Sequence, residues 1–138
     1  MFPMVSTAEE VAWALERLDE AAGAVGGRPA GMEVGVMVEV PAAALAVRRV
    51  AHGLDFVSIG TNDLAQYTMA AERGNTAVSA LADARQPAVL GLVARVCAEV
   101  PEGTHVAVCG DLAGDPAAAV VLAGLGVEEL SVVPTRVA

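Results

Sequence analysis

Two hydrophobic periods alternate along the chain. Runs that are apolar at nearly every position, 34–38, 55–60, 106–109 and 129–133, read as buried strands, and a shorter run at 2–5 reads the same way. Between them lie stretches with helical spacing. Val11, Ala14, Leu15, Leu18 and Ala22 make one apolar stripe, and Val89, Val93, Val96 and Val100 make another. Ser6 and Glu9 have the spacing of a capping box before the first, while Gly23, Gly26, Gly27 and Pro29 end it. Pro41 stands where a first helical turn accepts proline, and 42–52 continues as a helix stopped by Gly53. A short helix is expected at 64–71 and a longer loop at 72–86. Asp115-Pro116 caps a further helix that Gly124 and Gly126 end.

Strand and helix therefore alternate, which predicts right-handed crossovers and a parallel sheet. A doubly wound sheet and a (β/α)8 barrel both satisfy that order. No Gly-x-Gly-x-x-Gly run follows any of the strands, which weakens a dinucleotide-binding version. A barrel takes ~250 residues, so five strands within this length read as the second half of one. The pattern opens inside a strand and closes without a final helix. The expectation is an α/β chain whose residues 1–138 form a partial barrel domain.

Composition narrows the function classes. The net charge is −9 and all eight basic residues are Arg, so a nucleic-acid or anionic-membrane surface, which needs clustered positive charge, is not expected. No stretch reaches the roughly 18 consecutive apolar residues of a membrane span, and the start has neither the basic region nor the cleavage site of a signal peptide. Cys97 and Cys109 are two cysteines in a chain large enough to fold without a staple, which fits a reducing, cytoplasmic setting.

Polar residues gather where the strands end. Glu39 closes the run at 34–38, Asn62 and Asp63 follow 55–60, and Cys109 ends 106–109 just before Gly110. In parallel α/β folds the carboxyl ends of strands are where ligands bind and chemistry occurs. Two carboxylates there suit Mg²⁺, a hard cation that leaves positions open for a phosphate-bearing substrate. The plainer readings are a solvated Glu39, a helix cap at Asn62 or Asp63, a solvated loop Arg73, and a Cys109 that only fills space. Cys97, inside an amphipathic helix, fits that last role well. His52 and His105 read as structural or solvent-facing.

The blocks Gly35-Val36-Met37-Val38-Glu39-Val40-Pro41-Ala42-Ala43, Asp55-Phe56-Val57-Ser58-Ile59-Gly60-Thr61-Asn62-Asp63-Leu64-Ala65-Gln66-Tyr67-Thr68, Arg73-Gly74-Asn75 and Cys109-Gly110-Asp111-Leu112-Ala113-Gly114-Asp115 occur in this order and span most of the chain. Together they resemble the phosphoenolpyruvate-binding barrel of enzyme I, the phosphoenolpyruvate–protein phosphotransferase of bacterial sugar uptake. The resemblance implies that Glu39 and Asp63 ligate Mg²⁺, and that Asn62, Asp63 and Arg73 hold phosphoenolpyruvate. It also implies that Cys109 protonates the enolate to give pyruvate; a thiol at its ordinary pKa is mostly protonated at neutral pH and can serve as that acid. A planar guanidinium at Arg73 can grip phosphate or carboxylate through two hydrogen bonds.

The same resemblance implies a homodimer and a phosphorylated His in a separate N-terminal domain, which docks the phosphocarrier protein HPr. That domain and the early barrel strands, with two further substrate-binding arginines, have no counterpart in this sequence, so the chain alone is expected to be inactive. Related barrels of pyruvate phosphate dikinase and phosphoenolpyruvate synthase share the Gly-Thr-Asn-Asp-like and Cys-Gly elements. Gln66-Tyr67 and 111–115 fit enzyme I better. The alternative of another class is a non-catalytic module that keeps only an association surface.

Overall fold

The computed structural model describes residues 1–137. Its centre is a four-stranded parallel sheet: β1 (Gly35–Val38), β2 (Phe56–Gly60), β3 (His105–Cys109) and β4 (Glu129–Leu130), paired in chain order. The helices are α1 (Ala8–Ala24), α2 (Pro41–Leu45), α3 (Val47–Val50), α4 (Thr61–Met69), α5 (Pro87–Glu99) and α6 (Pro116–Leu125), with short 3-10 turns at Asp111–Gly114 and Pro134–Arg136.

Strand alternation explains what the sheet does with its two faces. Val36, Val38, Val57, Ile59, Val106 and Val108 point one way and are buried beneath the helices. At about 1.5–3 kcal/mol for each side chain taken from water, this layer is the main source of stability. Helices α2 to α6 pack against one another on that side. The opposite face, with Phe56, Ser58, His105, Ala107, Glu129 and Ser131, opens into a cleft of about 520 Å³. A doubly wound sheet reverses its strand order and covers both faces. This sheet does neither, so it is an open half-barrel whose inner surface lines a cleft, with Ser58 and Ala107 buried at its floor.

Several elements differ from the sequence expectation. The first capping box forms one residue later: Thr7 caps α1, and the Glu10 carboxylate accepts from the N–H groups of Ser6 (2.7 Å) and Thr7 (3.0 Å). The expected strand at 2–5 shrinks to a parallel bridge from Phe2 to Val36. Pro3 has no N–H to extend the ladder, and Met4, at φ 54°, turns the chain away. The single helix expected over 42–52 breaks at Ala46, whose N–H is shared between the carbonyls of Ala42 (3.1 Å) and Ala43 (3.2 Å). That tighter turn lets Ala43, Ala44, Val47 and Val50 all reach the core. β4 holds two residues rather than five, because pairing to β3 stops at Leu130. The segment at 72–86 contains no helix or strand, as expected.

Candidate active site

β2 runs into α4 without a loop, and that junction organises the site. Gly60 is the cap residue of α4 and offers no side chain to its free N–H groups. Neither Asn62 nor Asp63 caps the helix; both lie inside its first turn. A carboxylate there is favoured by the positive end of the helix. Asn62 has a different partner: its Oδ1 accepts the Asp111 N–H at 3.1 Å, tying α4 to the turn after β3. The helix begins three residues earlier than the expected 64–71, and this brings both polar side chains to the strand ends.

Glu39 is buried, 4% exposed, where β1 ends. Its Oε1 accepts the Met4 N–H at 2.8 Å, a contact that the turn at Met4 makes possible. Burial pushes its carboxyl above the ordinary range; the Met4 hydrogen bond opposes this, and the neighbouring Asp63 carboxylate pushes it up further. Gly60 leaves the necessary space: a Cβ there would lie 2.9 Å from Glu39 Cβ and 3.0 Å from Oε2.

Cys109 pairs in register with Gly60, and the Thr61 hydroxyl donates to its carbonyl at 2.9 Å. Gly110, at φ 98°, lets β3 pass close to α4; a Cβ there would come within 2.5 Å of Thr61 Oγ1. Cys109, Gly110 and Asp111 line a cleft of about 740 Å³ together with Ser131 and Arg136. Cys97 sits on α5, and burial raises its thiol pKa. His105 begins β3, at the far end from Cys109, with Nδ1 3.0 Å from Glu128. His52 is exposed.

The fold thus brings Glu39, Asn62, Asp63 and Cys109 to one edge of the sheet. Arg73 is exposed in the loop after α4, and its backbone N–H donates to Gln66 Oε1 at 2.8 Å. Sequence reasoning missed two cations at the rim. Arg136 shares the cleft of Cys109, and Arg85 lines an adjacent pocket of about 350 Å³ with Asn62 and Asp111. No local signal marks either arginine, since only the return of distant segments brings them there.

Two adjacent hard carboxylates suit a magnesium-type cation, which typically takes one or two protein carboxylates and completes its shell with substrate oxygens and water. Among the described residues, no group of three or more His, Cys, Asp or Glu is arranged to hold a metal. Two carboxylates are a donor set that such a cation takes from protein while its remaining positions stay open.

A parallel α/β half-barrel that gathers two carboxylates, an amide and a thiol at the carboxyl ends of its strands has the layout of a barrel ligand site. The chain belongs to the family described as PEP-utilising enzyme, PEP-binding domain, whose model matches residues 1–138. A phosphoenolpyruvate-protein phosphotransferase of Haloferax volcanii is 50% identical over 135 residues, 95% of this chain and 24% of that protein. One from Cupriavidus necator is 44% identical over 144 residues, 99% of this chain and 24% of that protein. The chain thus spans about a quarter of the length of these curated relatives. Among solved structures, an HpcH/HpaI aldolase/citrate lyase family protein from Burkholderia cenocepacia superposes with a TM-score of 0.65 at 26% identity. The match covers 92% of this chain and 55% of that one.

Proposed function

We propose that the chain is the phosphoenolpyruvate-binding part of a phosphoenolpyruvate–protein phosphotransferase. The observation that carries this reading is that Glu39 lies against Gly60, the residue that leads directly into the first turn of α4 with Asn62 and Asp63, on the sheet edge that also bears Cys109. The names of the relatives support it. In the complete enzyme, Asn62 and Arg73 hold the substrate anion, and Glu39 and Asp63 hold Mg²⁺. When bound, the metal offsets the negative charge on the transferring phosphoryl group.

The P–O bond to the enol oxygen breaks as a His nitrogen of a separate domain takes the phosphoryl group. Cys109 then gives its thiol proton to C3 of the enolate, which leaves as pyruvate, and the thiolate regains a proton from solvent. The phosphohistidine next passes its group to HPr, which docks on the N-terminal domain rather than on this chain. The early barrel strands, with further arginines, complete the substrate site, so the chain alone does not turn over. The intact enzyme works in the cytoplasm as a homodimer. No helix among the described residues is long and apolar enough to cross a membrane.

Calorimetry with phosphoenolpyruvate and Mg²⁺ tests the binding part of this reading. Heat with the wild-type chain, lost in Asp63→Asn, is expected. A chain that gives no heat with either would instead be an association module.

A further inference from the structure

We propose that Gln66 is a positioning residue for Arg73, fixing the backbone from which that guanidinium reaches the substrate anion; this rests on the substrate role assigned to Arg73 above. Gln66 gathers three N–H groups of the turn that follows α4. Its backbone carbonyl accepts from Ala70 and from Ala71 (3.1 Å), and its side-chain Oε1 accepts from Arg73 (2.8 Å). The last contact spans seven residues.

The turn is an unusual one. Ala70 adopts φ 49° and ψ 37°, a left-handed conformation that costs a residue with a Cβ roughly 1–2 kcal/mol. A strained backbone persists where surrounding contacts hold it, and the contacts here converge on Gln66. The geometry has a further consequence. Gln66 lies three and four positions after Asp63 and Asn62, so the three share one face of α4. A single rigid helix therefore carries the acid, the amide and the side chain that fixes Arg73. Without the Oε1 acceptor, the segment at 72–86, which has no helix or strand of its own, would let Arg73 wander.

Gln66→Leu keeps the side-chain bulk and removes the acceptor. The test is calorimetry on the whole chain with phosphoenolpyruvate at saturating Mg²⁺, for wild type, Q66L, R73A and the double variant, with the Mg²⁺ affinity of each measured separately. Loss of charge-assisted hydrogen bonds in R73A should weaken phosphoenolpyruvate about tenfold or more. Q66L should weaken it several-fold, add nothing in the R73A background, and leave Mg²⁺ affinity unchanged. If Q66L does not fold, Q66A removes the same acceptor and takes its place. An R73A effect without a Q66L effect overturns the positioning role alone, as does a Q66L effect that adds fully to R73A. Unchanged binding in R73A, or no binding by the wild type, overturns the assignment of Arg73 and this inference with it.

Discussion

Glu39 and Asp63 come from different elements, the end of β1 and the first turn of α4, yet the Asp63 carboxylate is near enough to help push the Glu39 carboxyl, already raised by burial, above its ordinary range. Two negative charges held side by side at a partly buried site destabilise the fold unless a proton or a cation sits between them.

Glu39→Gln is therefore expected to stabilise the metal-free chain at neutral pH. Gln keeps an oxygen to accept the Met4 N–H while removing the buried charge. The folded-state pKa of Glu39 is raised, so its favourable contribution is complete below the unfolded pKa and is lost as pH rises through the folded one. Urea unfolding across pH should show the variant ahead at neutral pH and the gap closing in acid. A constant gap would contradict the assignment.

Mg²⁺ should raise the melting temperature of the wild-type chain, because a cation that binds only the folded state stabilises it by mass action. The same addition should do little for E39Q or D63N. A thermal shift series against Mg²⁺ concentration reads this directly.

Gly110→Ala should lower stability by roughly 1–2 kcal/mol from the positive φ alone, before any clash with the Thr61 hydroxyl. It should also displace the Thr61 contact that holds the Cys109 carbonyl. Chemical denaturation measures the first effect. Slower alkylation of Cys109 than in the wild type would contradict the second.

Ala70→Gly should act in the opposite direction. Relief of a left-handed Ala is worth about 1–2 kcal/mol, against an entropy cost of about 0.5–1 kcal/mol for Gly in the unfolded chain. The net expectation is a modest rise in stability by equilibrium unfolding.

Leu122→Ala should cost about 2–5 kcal/mol, since this fully buried side chain anchors α6 to the core. Val120→Ala on the same helix, where the side chain is 75% exposed, should stay within about 0.5 kcal/mol. Comparable losses at both positions would mean that the outer face of α6 is covered in solution.

Much of this architecture is legible in the chain itself. Continuous Val- and Ile-rich runs mark strands buried on at least one face, and the alternation with helical stripes predicts the parallel sheet that forms. The polar residues closing those runs point to the candidate functional edge, because a strand buried along its length turns polar only where it emerges. Arg73 is singled out only by resemblance to the family; the structure places it in an exposed loop whose backbone is held by Gln66.

Sequence by itself thus determined the element order, the parallel pairing and the edge on which the polar side chains gather, since these follow from local periodicity and from which side chains avoid water. Tertiary structure alone decided that the sheet keeps chain order with one face open, that Asn62 binds Asp111 rather than capping α4, and that Glu39 is buried against Met4 and Asp63. Those outcomes depend on the approach of segments tens of residues apart. Glycines at 60 and 110 permit that approach by leaving out a Cβ, and no local pattern encodes which segment will fill the space they leave.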